Sequence, residues 1–297
     1  VHLPYPWYHP YSRPTNNGFI TLVVEISNIR NPNQLEYPPN GQIRHPCRMT
    51  MSDRSGTGGF DPSGIDEDAW TELERQLEAT IPVYDKVNKI MTLGFDKGMR
   101  KHVRSHAKEG MKVLEVGCGP GSFAVGIEGM DLTCLDPSAE MLKVCKKRLD
   151  VIREERGESP AKYVEAIAED IPLPDNTFDR VFCLFSFRDF KDKKKGLSEI
   201  FRVLKPGGQL VICDAGKANW LHGLFGRIYM GTFVQVVARI VTKDPNHPWK
   251  WLARTYTHYG THSYYKNLMK EVGYTGVKAR LLFPGMSSRF KATKPEQ

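Results

Sequence analysis

The sequence lacks paired cysteines. Its six cysteines, at 47, 118, 134, 145, 183 and 213, are scattered, and none forms a C-x-x-C pair. That spacing implies a reducing compartment and no metal site. Four of them fall in expected strands or in a glycine-rich turn, where a free cysteine is a small buried apolar residue. No uninterrupted run of 18 apolar residues occurs, so no membrane-spanning helix is expected. A basic–apolar–small leader pattern is missing from the start, and no internal repeat is visible. Acidic residues are outnumbered, giving a net charge of +8 over 297 residues. A basic surface suits nucleic acid, anionic headgroups or acidic substrates, and charge alone does not choose among them.

Residues 1–65 have little that could build a core. They are rich in Pro, Asn, Gly and Tyr, with one strand-like run from Phe19 to Ile26. The chain starts with Val1, and its first methionines are Met49 and Met51. This part is expected to be a disordered extension, or upstream codons retained by a wrong start. The remainder, 66–297, still carries a positive charge and is 40% apolar with the rest of the chain, enough for one sizeable core.

What is present centres on Met111 to Asp136. A short apolar run (Val113, Leu114, Val116) ends in Gly117, Gly119 and Gly121. An apolar helical pattern follows at Phe123, Ala124 and Ile127. A second strand, Leu132 to Leu135, closes on Asp136. Strand, glycine turn, helix and acid-tipped strand make the first half of a nucleotide-binding βαβ unit. Glycines let a ligand approach the main chain, and the terminal acid can accept hydrogen bonds from ribose hydroxyls. The spacing is G-x-G-x-G, not the dinucleotide G-x-G-x-x-G, and Ser122 stands where the third glycine would fall. Glu115, two residues before the turn, would repel a pyrophosphate and favour a sulfonium or ammonium. S-adenosylmethionine fits Glu115 and Asp136 better than NAD does. A turn that binds nothing is the remaining alternative.

Around this unit the chain alternates helices and strands. Helical patterns run from Asp66 and again through I-P-V-Y-D-K-V-N-K-I-M, with Val83, Val87, Ile90 and Met91 on one face. A helix opening at Pro137 and Ser138 carries Met141, Leu142, Val144 and Leu149. Strand three spans Tyr163 to Ile167, followed by a loop with Glu169 and Asp170. Strand four, Phe178 to Leu184, runs into F-S-F-R-D-F. Ligands of open α/β sheets sit at the carboxyl ends of strands, so Arg188 and Asp189 should face the substrate, unless they form only a structural pair. The helix Lys193 to Leu204 stops at K-P-G-G before strand five, Gln209 to Asp214. Trp220 to Val241 is apolar nearly all round. It suits either a core helix pair or the wall of a pocket for a long apolar tail touching a bilayer. Two last strands are expected at Val277 to Phe283 and Met286 to Ala292.

The turn E-V-G-C-G-P-G, the strand end L-D-P-S, the segment L-P-D-N-T-F-D and R-V-L-K-P-G-G-Q-L together resemble class I S-adenosylmethionine-dependent methyltransferases. Y-D-K-V-N-K-I-M-T-L-G, F-S-F-R-D-F-K-D-K and the late L-M-K-E-V-G-Y are similar to segments of the ubiquinone/menaquinone biosynthesis C-methyltransferases. The resemblance covers about residues 80 to 295. It implies an α/β, Rossmann-like fold with a seven-stranded, mostly parallel sheet flanked by helices. The implied division is a helical cap over 66–109, a cofactor-binding core over 110–215 and substrate-side helices with the final strands over 216–297.

By that resemblance Gly117, Gly119 and Gly121 lie at the methionine part of the cofactor and Asp136 at its ribose. Tyr84 either faces the cofactor or simply packs, and the loop with Glu169 and Asp170 either reads the adenine edge or is a plain polar turn. Glu115, Cys118, Pro137, Met141, Ala168 and Leu184 are the further expected cofactor contacts. Arg188 lies at the quinol, and Asp189 stands where the family has Asn. Ile167 replaces a polar residue, and Pro120 replaces Thr. The implied activity is C-methylation of a lipophilic polyprenyl quinol with S-adenosylmethionine and no metal. The implied setting is cytoplasmic with peripheral membrane contact, and a homodimer is compatible with it. Arg188 stays protonated and would stabilise a phenolate, while His258 (beside Tyr256 and Tyr259), Asp189 or a water would act as base.

Phospholipid N-methylation is the nearest alternative chemistry. A non-catalytic S-adenosylmethionine-binding module of a quinone-synthesis complex is the non-enzyme alternative. The Asn/Asp-Pro-Pro-Tyr stretch of many nucleic-acid amino methyltransferases is missing, since Phe185 to Arg188 occupy that place. A nucleic-acid partner is therefore not expected.

Overall fold

The computed structural model describes residues 62–243, 247, 249–282, 285 and 287–296. The expected extension at 1–65 thus lies outside the described residues up to position 61. Its last residues already belong to the fold. The Ser63 carbonyl accepts from the Lys193 amide (2.8 Å), and the Ile65 amide donates to the Lys191 carbonyl (2.9 Å). The packed domain begins by residue 62, a few positions before the boundary expected at 66.

Seven strands form one sheet: β1 (Lys112–Val116), β2 (Asp131–Asp136), β3 (Lys162–Glu165), β4 (Phe178–Leu184), β5 (Leu204–Ala215), β6 (Thr275–Leu282) and β7 (Ser287–Thr293). Their order is β3-β2-β1-β4-β5-β7-β6. The first five are mutually parallel, and β7 runs antiparallel to both β5 and β6. Chain order reverses between β1 and β4, and ligands of such sheets bind beyond the strand ends at that point.

Both faces of the central strands are covered, which is why Val113, Leu114 and Val116 of β1 and Val181 to Leu184 of β4 are apolar on both sides. On one face Leu114, Val116 and Val181 pack with Leu197, Ile200 and Val203 of α5 (Lys193–Val203) and with Tyr265 and Met269 of α9 (His262–Val272). On the other, Val113, Cys134 and Phe182 pack with Val103 of α3 (Asp96–Arg104) and Leu142, Cys145 and Leu149 of α4 (Ala139–Glu155). Side-chain caps set the starts of these helices. Ser138 Oγ accepts from the Met141 amide (3.1 Å), and Asp192 Oδ1 accepts from the Lys195 amide (2.9 Å).

The remaining helices sit over the carboxyl ends of the strands. They are α1 (Glu67–Glu78), α2 (Tyr84–Met91), α6 (Trp220–Gly231), α7 (Phe233–Thr242) and α8 (Trp249–His258). Val87 of α2, Ala215, Met230, Val234 and Tyr256 share one apolar cluster, so the leading and late helices form a single cap.

Several expected elements differ in detail. No full helix follows the glycine turn; a single 3-10 turn, Ala124–Gly126, takes its place. The backbone leaves the helical region at Ile127 (φ −88°, ψ 118°), and Gly126 leaves room for the Arg104 guanidinium, which lies 2.5 Å from where a Cβ would stand. Strand β3 ends at Glu165 rather than Ile167, β5 begins at Leu204, and β6 ends at Leu282. The residues Phe283 and Met286 of the last expected strands lie outside the described residues.

Trp220–Thr242 has a mean hydropathy of 1.3 and is long and apolar enough to cross a membrane by length and composition. The sequence reading admitted no such segment, because it asked for an unbroken apolar run. The backbone breaks at Thr232 (φ −117°, ψ −77°), leaving helices of 12 and 10 residues. Each alone is shorter than the ~20 residues a spanning helix requires.

Candidate active site

The loop after β1 is built on left-handed backbone. Gly117 has φ +69° and Gly119 φ +52°. These two glycines serve different ends. A Cβ on Gly117 would stand 2.3 Å from Ser186 Cβ, so this glycine lets the β1 and β4 loops touch. A Cβ on Gly119 would meet nothing within 4 Å. Gly119 instead borders an open cleft of about 820 Å³, shared with Asp136, Pro137, Met141, Ala168 and Glu169.

Asp136, at the tip of β2, organises this cleft. Its Oδ2 accepts from the Gly119 amide (2.7 Å) and its Oδ1 from the Ser138 amide (3.1 Å). Burial raises its pKa to about 6, while those two amide hydrogen bonds pull the other way. Glu169 is also buried. Its Oε1 accepts from the Asp192 amide (2.9 Å), which pins the loop after β3 to the start of α5. A cleft with an apolar Met141 wall, a buried carboxylate at the strand tip and open main chain at Gly119 is fitted to an adenosine-bearing cation.

A second cleft of about 850 Å³ adjoins the first. Leu77, Met91, Met230, Trp249 and Leu252 make it largely apolar. The two clefts share Leu73, Leu77, Tyr84, Phe185, Arg188 and Asp189. Polar chemistry is therefore concentrated where they meet.

At that junction the Arg188 side chain is only 12% exposed and is doubly held. Its amide donates to Asp214 Oδ2 (2.9 Å), and its Nη1 donates to Asp214 Oδ1 (2.8 Å). Asp189 Oδ1 lies 3.4 Å from Arg188 Nε, yet neither atom has a hydrogen-bond partner among the described residues. Burial works against the guanidinium charge, but Asp189 and Asp214 outweigh it and hold its pKa above the ordinary value. Burial raises Asp189 to about 6, with Arg188 opposing and Asp214 reinforcing the rise. Tyr84 reaches the same point, and burial pushes its hydroxyl up.

The leading helix is also tied to the glycine turn. Ser122 Oγ donates to Asp85, Arg148 Nη2 bridges Asp85 (2.8 Å), and Arg148 Nη1 donates to the Pro120 carbonyl (3.0 Å).

Of the residues singled out from sequence, Tyr84, Gly117, Gly119, Asp136, Pro137, Met141, Ala168, Glu169, Arg188 and Asp189 border one or both clefts. Six do not. Leu184 packs in the core with Phe182. Asp170 is exposed. His258 ends α8 and lines neither cleft. Gly121 closes on Cys145 instead of a ligand, its Cβ position 2.8 Å from Sγ. Cys118 is buried beside two other thiols.

Glu115 is 1% exposed, and its Oε2 has no hydrogen-bond partner among the described residues. It shares the sheet face of Cys134, its register partner, so its charge points under the loop rather than into the cleft. Burial raises its pKa, against the pull of Arg100 and Arg104. Sequence reasoning missed Asp214 as the anchor of Arg188. Its only signal was its place at the end of a buried strand.

Comparison with known proteins gives a consistent set of likenesses. The model of the ubiE/COQ5 methyltransferase family matches residues 72–294. A demethylmenaquinone methyltransferase of Deinococcus radiodurans is 32% identical over 185 residues, covering 60% of this chain and 74% of the relative. A ubiquinone/menaquinone biosynthesis C-methyltransferase UbiE of Shewanella sp. is 31% identical over 205 residues, covering 65% and 79%. Among solved structures, a SAM-dependent methyltransferase of Aquifex aeolicus superposes with a TM-score of 0.51 at 21% identity, over 73% of this chain and 98% of that one. Another from Thermotoga maritima gives 0.54 at 19%, over 75% and 99%. At these identities the structural likeness speaks to the fold.

Proposed function

The chain belongs to the ubiE/COQ5 methyltransferase family and is an S-adenosylmethionine-dependent methyltransferase, and from that premise we propose that it methylates a ring carbon of a polyprenyl quinol. One observation carries the choice of acceptor. The apolar second cleft opens onto the cofactor cleft through a half-buried Arg188–Asp189 pair. A quinol has the matching parts: an apolar tail, a flat ring and an acidic hydroxyl. The relatives named above carry the same acceptor class in their names.

Bound in the first cleft, S-adenosylmethionine supplies an electrophilic methyl on a sulfonium leaving group. Asp136 would accept from its ribose hydroxyls, Gly119 would give it main-chain access, and Met141 would supply an apolar wall of its cleft. Residues of the second cleft hold the ring, so the enzyme's share of catalysis is largely alignment.

Asp189 is the base in this account. Its buried Oδ1 has no hydrogen-bond partner among the described residues and lies at the junction, and its raised pKa makes it a better proton acceptor than a solvated carboxylate. It would take the quinol hydroxyl proton as the ring carbon bonds to the methyl and the methyl–sulfur bond breaks; the ring proton then passes to water, and Asp189 returns its proton to the oxygen, so that aromaticity is restored and one proton is released overall. Arg188, held by Asp214, has hydrogen-bond donors left for the developing phenolate. His258 has no part in this scheme, because it lines neither cleft.

The exposed face of α6 and α7 supports peripheral contact with a bilayer, the source of such an acceptor. Trp220, Phe225 and Ile240 are 77%, 64% and 70% exposed. Arg227 and Arg239 lie on the same helices and Lys243 directly follows, so cations stand beside the apolar residues as an anionic membrane surface requires.

Arg188→Ala and Asp189→Asn test the assignment. Both should lose quinol turnover while keeping S-adenosylmethionine affinity. Full turnover in either variant removes that residue from the mechanism.

A further inference from the structure

Beneath the glycine turn lies a feature that the methyl-transfer account does not use. Cys118 of the turn, Cys134 of β2 and Cys145 of α4 are all buried, and their three Sγ atoms lie within 4.8 Å of one another. They are 16 and 11 residues apart, so no local motif announces them. Cys213 and Cys183 sit elsewhere in the core and outside this group.

We propose that Cys118, Cys134 and Cys145 form a binding site for one thiophilic divalent d10 cation, of the zinc or cadmium type, held by three sulfurs under the cofactor loop.

Geometry supports it first. Tetrahedral coordination with zinc–sulfur bonds of ~2.3 Å places sulfurs ~3.8 Å apart. Sulfurs already within 4.8 Å reach that separation by small side-chain rotations. The donor set is the second support: three soft sulfurs in a dry site select soft cations over Mg²⁺ or Ca²⁺.

Charge is the third. Three thiolates and a divalent ion leave one negative charge, and the Arg148 guanidinium is a neighbouring cation. Coordination releases a proton from each sulfur that binds as thiolate.

The site would also touch the cofactor loop. Gly121 leaves just enough room over Cys145 for the turn to pass, and Cys118 is part of the turn itself. Filling the site would fix the loop from below.

The test titrates the full chain, reduced and kept free of oxygen, with Cd²⁺ while the thiolate-to-cadmium absorption band is followed. The proposal predicts saturation at one equivalent, loss of the band in Cys134→Ala and in Cys145→Ala, and its retention in Cys213→Ala. Far-ultraviolet circular dichroism establishes that each variant is folded. Should Cys134→Ala not fold, alkylation of the wild-type chain decides the matter: Cd²⁺ should protect Cys118, Cys134 and Cys145 but not Cys183 or Cys213. Absence of the band in the wild type overturns the site, as does its persistence in both folded variants or equal protection of these five of the chain's six cysteines. None of these readouts depends on methyl transfer, so they stand or fall apart from the quinol assignment.

Discussion

Asp214 holds Arg188 at two points, accepting from its amide at 2.9 Å and from its Nη1 at 2.8 Å. The carboxylate is wholly buried at the end of β5, while the arginine sits in the turn after β4. One side chain thus fixes both the backbone and the guanidinium at the junction of the two clefts.

Removing that anchor should be costly. Asp214→Ala leaves a buried guanidinium with only the neighbouring Asp189, and breaking a buried ion pair from one side costs ~3–5 kcal/mol. Urea unfolding should show a loss of that order. Asp214→Asn keeps an acceptor of the same shape, so it should lose less stability while turnover still falls about 10²-fold. Equal stability of wild type and Asp214→Ala would mean that the pair does not hold the turn.

The raised pKa of Asp189 gives a pH signature. At saturating S-adenosylmethionine, turnover should rise as the carboxyl ionises through about pH 6, and this limb should vanish in Asp189→Asn. Stability moves the other way. The folded-state pKa lies above the ordinary 3.8, so the folded protein binds this proton more tightly than the unfolded chain. Asp189 alone therefore favours the fold more as pH falls from about 6 towards about 4. The ionised group weighs against the fold above about 6. Denaturation across pH 4 to 7 should find Asp189→Asn gaining stability relative to wild type as pH rises.

The two glycines should separate packing from binding. Gly119→Ala adds a methyl group to open cleft space. Its φ of +52° costs ~1–2 kcal/mol for a residue with a side chain. S-adenosylmethionine affinity should drop about 10-fold or more, or ~1.4 kcal/mol, read by calorimetry. Gly117→Ala drives a Cβ into Ser186 and should lower the melting temperature further than Gly119→Ala does. If the two variants melt alike and bind alike, the division of labour is wrong.

Vesicle co-sedimentation examines the exposed face of the cap. Ile240→Glu and Trp220→Ala should each weaken binding to anionic vesicles about 10-fold, because they remove apolar contact from a solvent-facing surface. Turnover of a short-tailed, water-soluble quinol should not change. A parallel loss of both activities would place these side chains inside the acceptor cleft instead.

Much of this was legible in the sequence because it is local. The glycine turn, the Asp136 strand tip, the Ser138 cap and the order of strands and helices each rest on neighbours a few residues apart. The placement of Arg188 and Asp189 followed from a general rule about strand ends.

What escaped was set by long-range packing. Asp214 meets Arg188 across 26 residues, which no spacing rule reports. The cysteine cluster exists because β2 and α4 fold under the turn, not because of a sequence pair. The helix expected after the turn is only one 3-10 turn, and its Gly126 packs against Arg104, a contact between segments 22 residues apart. His258 looked promising beside two tyrosines, yet the turn of α8 carries it away from both clefts.

The measurement that bears most directly on function is a single competition assay. The protein is mixed with methyl-labelled S-adenosylmethionine and detergent-dispersed demethylmenaquinol, a benzoquinol precursor and phosphatidylethanolamine, and the label is followed by mass spectrometry. The account predicts label on a quinol ring carbon, and none once Arg188 is replaced by alanine. Label on the lipid amine, or on no lipid at all while the cofactor binds, would contradict it.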